Sequence, residues 1–284
     1  MAMTSTAARH PQPGDAYRPR RVLMCRPDYF AVSYEINPWM HTGVPVDRRL
    51  AIRQWESIVR TYEALGHTVE FVEPVLGLPD MVFVANAGLV VGGCVYRARF
   101  RYRQRQGEEA PYTVWFRRHF DHVVRATEVN EGEGDFAVVG DTVFAGYGFR
   151  TDLAAHDELR AQLHVPVVSL RLVDPRFYHL DTALAVLRDD HVAYFPGAFD
   201  AASRAVLAER FPDAVLVDEH DAEAFGCNAM SDGHHVVVSA QATGFVESLR
   251  AAGYDPVPLD TSELRKAGGS VKCCTLELRE NDHE

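Results

Sequence analysis

Short apolar runs separated by tight turns recur along the chain. Residues 81–91 lead through Gly92-Gly93 into 94–97, and 136–139 lead through Gly140-Asp141 into 142–145. Residues 182–187 lead through Asp189-Asp190 into 191–195, and 228–230 lead through Asp232-Gly233 into 235–239. Each run has strand length and each break has turn-forming residues, so each pair predicts a β-hairpin. The first turn residues stand at 92, 140, 189 and 232, giving intervals of 48, 49 and 43 residues. A near-constant interval predicts a repeated supersecondary unit.

Helical patterns fill the gaps. Asp47 is placed to cap a helix that runs to about residue 65 and stops at Gly66. Its apolar positions Ala51, Trp55, Ile58, Val59 and Tyr62 follow the helical period. Residues 151–163, 200–211 and 244–252 read the same way, and 112–120 reads as a shorter helix. Each helix precedes a strand, at 68–73, 122–126, 165–172, 214–217 and 256–259. That makes five helix–strand–hairpin units, none able to bury its own apolar face. Closing them into a ring covers every face and brings the hairpin ends to one central pocket. The expectation is a single α/β domain over 22–279, with a disordered tail at 1–21 and a short C-terminal tail at 280–284.

Composition removes several function classes. A net charge of -11 argues against nucleic acid and anionic membranes as partners. The Arg/aromatic run 97–103 resembles a nucleic-acid strand, but against that charge it reads as a solvated face. No apolar run reaches membrane-spanning length. The five cysteines form no disulfide framework, and a reducing cytoplasm is the expected location. Cys25, Cys94 and Cys227 read as structural. No metal-ligand spacing and no dinucleotide loop stand out, so no metal and no cofactor are expected. His234-His235 falls on a hairpin turn and is expected in solvent. The chain leaves a homo-oligomer open.

The candidate chemistry gathers at strand ends. In 268–278, Cys273 follows Gly268-Gly269 and precedes an alternating stretch, which places the thiol on a strand, with Cys274 on the packing face. In 177–182, His179 and Asp181 are spaced to share one strand face. Polar residues repeat at the other strand ends: Asp80 and Asn86, then 131–135, and Asn228. A thiol, an imidazole and several carboxylates suit thiolate attack on a cationic carbon.

These segments jointly resemble the guanidine-modifying enzymes of the pentein superfamily: dimethylarginine dimethylaminohydrolases, arginine deiminases, amidinotransferases and arginine dihydrolases. The resemblance covers roughly 22–278 and implies a five-bladed α/β propeller. His179-Leu180-Asp181 resembles the family's His-x-Asp segment, and Cys273 stands where its nucleophile stands. Glu131-Gly132-Glu133-Gly134-Asp135 resembles its Glu-Gly-Gly-Asp with one residue extra, which leaves Glu131 and Glu133 as alternatives and Glu131 preferred. The resemblance implies Asp80 and Asp181 as guanidinium clamps, Arg105 and Arg150 as carboxylate binders, and Phe30, Tyr34 and Asn37 in a lid. Asn86 stands where dimethylarginine hydrolases and deiminases show acidic residues, which resembles the arginine dihydrolase branch. The implied partner is a small guanidino amino acid. An amidinotransferase and a non-catalytic binding protein of the same fold are the alternatives.

Overall fold

The computed structural model describes residues 17–280. Its strands form five separate three-stranded sheets, one per blade. Blade two holds β3 (Gly88–Val91), β4 (Cys94–Arg97), two helices α2 (Arg103–Gln106) and α3 (Glu109–His119), and β5 (His122–Val124). Blade three holds β6 (Phe136–Val139), β7 (Thr142–Tyr147), α4 (Leu153–Leu163) and β8 (Val167–Arg171). Blade four holds β9 (Leu184–Arg188), β10 (His191–Tyr194), α5 (Ala201–Arg210) and β11 (Val215–Leu216). After α6 (Glu219–Glu223), blade five holds β12 (Met230–Ser231), β13 (His235–Ser239), α7 (Thr243–Ala251) and β14 (Asp255–Leu259). In each, the hairpin strands pair antiparallel and the strand after the helix pairs parallel to the second hairpin strand.

Blade one is built from both ends of the described chain. β1 (Arg21–Cys25), α1 (Arg48–Ala64) and β2 (Thr68–Val72) supply the parallel pair. After α8 (Ser262–Arg265), β15 (Leu276–Glu277) returns antiparallel to β1 and completes the sheet. The protein is therefore a five-bladed α/β propeller closed by its first and last strands. The tail expected over 1–21 ends sooner. Arg21 opens β1, the Tyr17 hydroxyl donates to Leu65 O at 2.7 Å, and Arg18 N donates to Asp232 O at 2.8 Å. Residues 1–16 and 281–284 lie outside the described residues.

Local chemistry explains the element ends. The Asp47 carboxylate accepts from Leu50 N at 3.0 Å and caps α1. Gly66, at φ +83°, ends that helix where a side chain would be strained. The buried face of α1 carries Ala51, Trp55, Ile58, Val59 and Tyr62, joined by Gln54. The β3–β4 turn uses Gly92 and Gly93, both at positive φ, as two-residue hairpins prefer. The apolar core divides into four clusters between neighbouring blades.

Candidate active site

Tight turns immediately before the first hairpin strands carry the polar residues. Asp80 lies in a 3-10 turn over Pro79–Val82, and Asn86 in one over Val84–Ala87. Glu131 precedes the turn Gly132–Gly134, and His179 precedes the turn Leu180–Thr182 that contains Asp181. Asn228 and Cys273 lie in the connections leading to β12 and β15. This corrects two expectations, because neither His179 with Asp181 nor Cys273 is on a strand. Such a turn has about three residues per rotation, so His179 and Asp181 diverge and reach different partners.

Cys273 is buried, and its thiol donates to Asp181 Oδ2 at 3.1 Å. Asn228 Nδ2 donates to the same sulfur at 3.1 Å and to Asp181 O at 3.1 Å. Asn228 Oδ1 accepts from Ser270 N and Cys273 N, each at 3.1 Å. One side chain thus clamps the turn that carries Cys273. Burial and the neighbouring Asp181 push the Cys273 thiol well above its ordinary range, so it rests protonated. Burial pushes Asp181 up to about 7, against the opposing pull of the thiol bond and Lys272.

His179 Nε2 bonds Glu131 Oε2 at 2.8 Å. Glu131 also accepts from Arg150 Nη1 at 2.8 Å. Burial alone would raise the Glu131 carboxyl, but Arg150 and His179 outweigh it and hold it well below the usual range. Burial lowers His179 to about 4 despite that carboxylate, so the imidazole is neutral near pH 7. An ionised carboxylate only accepts, so the proton sits on Nε2 and Nδ1 presents a lone pair. That Nδ1 is buried and has no partner among the described residues, as are Asp80 Oδ1 and Asp181 Oδ1. Glu133, the alternative acid, instead binds Lys272, Arg279 and Glu277 N.

Arg150 is held between the Tyr102 and Tyr178 rings, 4.7 and 4.6 Å from their centroids, and its Nη2 donates to Ile36 O at 3.0 Å. Arg105 packs over Phe100 and makes a two-pronged pair with Glu108, at 2.9 and 2.8 Å. Its Nη1 donates to Asn86 Oδ1 at 2.6 Å, and Asn86 Nδ2 then donates to Glu131 O at 3.3 Å. The run 97–103 is therefore not a plain solvated face, since Phe100 and Tyr102 turn inward beneath these two guanidinium groups. Asp80 Oδ2 accepts from the Tyr34 hydroxyl at 2.9 Å. Asn37 Nδ2 donates to Ala267 O at 3.1 Å, joining the 28–40 segment to the loop that leads to Cys273. Phe30, expected in the lid, is fully buried and packs edge-on against Phe83. It supports the segment from beneath because its ring has no polar atom to leave in solvent.

Asp80, Asn86, Arg105, Arg150, Asn37 and Cys273 line one narrow cavity of about 10 Å³, roped in by Ile36, Met40 and Tyr178. That is room for roughly one water molecule. Two glycines make the packing possible. A Cβ at Gly134 would stand 2.2 Å from Asn86 Nδ2 and 3.2 Å from the His179 ring. A Cβ at Gly269 would stand 2.3 Å from the Phe83 ring and 3.1 Å from Cys273 Cβ. The sequence shows for Asn228 no role beyond its strand-end position, and it does not single out Glu108 or Tyr102. The repeat carried the signal for Asn228, which occupies the place in blade five that Asn86 occupies in blade two.

The family described as N,N dimethylarginine dimethylhydrolase, eukaryotic, matches residues 37–280. The chain belongs to this dimethylarginine dimethylhydrolase family. Among its relatives is an N(G),N(G)-dimethylarginine dimethylaminohydrolase of Mycobacterium tuberculosis, 54% identical over 92% of this chain and 86% of the relative. The bifunctional arginine dihydrolase/ornithine cyclodeaminase ArgZ of Synechocystis is 40% identical over 92% of this chain, which spans 38% of that longer protein. The solved N-terminal domain of cyanobacterial ArgZ, a cysteine-to-serine variant bound to substrate, superposes with a TM-score of 0.89. It is 39% identical, and the match covers 92% of this chain and 98% of that domain. No described helix of this family member is long and apolar enough to cross a membrane.

Proposed function

We propose that the protein is a hydrolase of the guanidinium group of arginine, with Cys273 as nucleophile. One observation carries the reading: the buried Cys273 thiol and the Asp80 carboxylate line one cavity, the thiol bonds the Asp181 carboxylate, and a neighbouring turn brings in His179, neutral and held by Glu131, with one oxygen of each aspartate unpartnered among the described residues. A guanidinium is planar, cationic and rich in N–H donors. Asp80 Oδ1 and Asp181 Oδ1, each buried without a partner, suit it as acceptors.

The resting thiol is protonated, and a bound cation beside it favours the thiolate. Sγ adds to the central carbon of the guanidinium while His179 Nδ1 takes up the thiol proton. His179 then gives that proton to the departing nitrogen, and ammonia leaves. The resulting thiouronium on Cys273 is attacked by a water that His179 deprotonates, and collapse returns the thiolate and citrulline. Glu131 stabilises the imidazolium at each stage and is itself kept ionised by Arg150.

Asn86 favours a second round. It is neutral, so an uncharged ureido group can occupy its surroundings without facing another carboxylate there. Sγ then attacks the ureido carbon, a second ammonia leaves, and water releases a carbamate that loses carbon dioxide to give ornithine. The 54% identical relative, named for dimethylarginine, supports a second reading in which dimethylamine leaves instead and citrulline is the end product. Arg105, Arg150 and Asn37 are the proposed contacts for the amino-acid end. The Arg150 bond to Ile36 O would be exchanged for a substrate carboxylate as the 28–40 segment opens. Five free cysteines fit a reducing compartment, and the cytoplasm remains the proposed location.

The test is product identification by mass after incubation with arginine and, separately, with asymmetric dimethylarginine. Ornithine with two ammonia per arginine is expected, shifting toward citrulline in N86D. Citrulline with dimethylamine from the methylated substrate, and no turnover of arginine, selects the second reading. Consumption of neither substrate removes both.

A further inference from the structure

We propose that the hairpin turn of blade five carries a second, non-catalytic site, which takes a divalent transition-metal ion of the zinc class on His234, His235 and Asp255. Each of these side chains offers one ligating atom, and the three atoms lie within 4.8 Å of one another. The sequence alone places this histidine pair in solvent. Instead both are only partly exposed, and His234 Nδ1 is buried without a hydrogen-bond partner among the described residues.

The backbone fixes the trio. His235 and Asp255 stand opposite each other in the parallel pairing of β13 with β14. Asp255 N donates to His234 O at 2.9 Å. Beneath them, the buried Asp232 carboxylate accepts from His234 N at 2.8 Å and His235 N at 2.7 Å. Its other oxygen accepts from His235 Nδ1 at 2.8 Å. Because a carboxylate only accepts, His235 carries its proton on Nδ1 and presents a lone pair at Nε2. A carboxylate orienting an imidazole through its other nitrogen is the recurring support of protein-bound zinc.

Two imidazoles and one carboxylate suit zinc, cobalt or nickel, whereas magnesium and calcium take oxygen ligands. Three protein ligands leave a fourth position for water. The hairpin turns are at the opposite strand ends from the catalytic turns, so an ion here is remote from Cys273. It would pin the β12–β13 turn to the start of β14 and stabilise that blade.

Zinc binding is measured by calorimetry on the Cys273→Ser protein, because a thiolate would itself take zinc. Thermal unfolding is followed in parallel. One ion per chain is expected, with a melting temperature raised by several degrees at saturating zinc. H235A and D255N should each weaken binding by roughly tenfold or more and remove the thermal shift. Asp255 is exposed, so D255N keeps the test valid if H235A folds poorly. No binding up to millimolar zinc overturns the site. Binding that survives D255N and disappears in H220A, which would place the ion on Asp218, His220 and Asp221, overturns it equally.

Discussion

Removing the amide of Asn228 would release the Cys273 turn on several sides at once. It would lose the bonds to Ser270 N and Cys273 N and the donor to the sulfur. Leaving buried N–H groups unpaired costs about 1–3 kcal/mol each. N228A is therefore expected to lower stability by a few kcal/mol and to reduce kcat more than it raises KM, as read by denaturant unfolding and steady-state rates. Asp181 sets a pH limit. Its carboxyl titrates near 7 because burial raises it, and only the ionised form can clamp a cation. kcat/KM should therefore fall as pH drops below about 7, and D181N should lose most activity along with that acid limb. The same raised value acts oppositely on stability. Stability from the protonated group is fully present below the ordinary carboxylate range and is lost as pH rises through about 7. At this scale Cys273 and His179 stand out in the sequence because the segments around them resemble those of a known family, and the structure places both in buried turns. The sequence favours Glu131 over Glu133 only by its place before the glycines, and it is the folded turn that brings Glu131 to an imidazole and Glu133 to Lys272.

At the scale of elements, the hairpins were legible because turn residues punctuate short apolar runs. Gly92, Gly140 and Gly233 all adopt the positive φ that their turns need. The polar turns read as strand in the sequence because an i, i+2 pair of polar residues imitates a pleat. A 3-10 turn sends the same pair apart, and this lets His179 meet Glu131 while Asp181 meets Cys273. Gly134 is the tightest point of that arrangement. G134A places a methyl on the Asn86 amide and the His179 ring, so activity should drop at least tenfold with little loss of substrate-free helix content, measured by turnover and circular dichroism. β1 was missed because a lone strand carries no hairpin signal. The cap of α1 was legible, and D47A should cost about 1 kcal/mol in a denaturant titration, with catalysis unchanged.

Across the whole molecule, five units of similar length could be counted in the sequence, yet the means of closure could not. That closure depends on pairing β1 with a strand of only two residues, Leu276–Glu277, far below the length at which periodicity is informative. A buried charge cluster reinforces the same region, with Glu133 holding Lys272 and Arg279, and Glu277 pairing with both cations. Removing one carboxylate leaves Lys272 and Arg279 to share Glu277 alone, a loss of about 1–3 kcal/mol in charge-assisted hydrogen bonds. E133A should therefore lower unfolding stability by that order while leaving the His179–Glu131 bond in place.

The pairing of β15 with β1 also orders events during synthesis. The Cys273 sulfur lies only a few residues ahead of the strand that shuts the ring, so a ribosome delivers it after all the other polar turns. A nascent chain can bring out four blades before this thiol joins them, and the thiol meets Asp181 only once β15 emerges and docks beside β1.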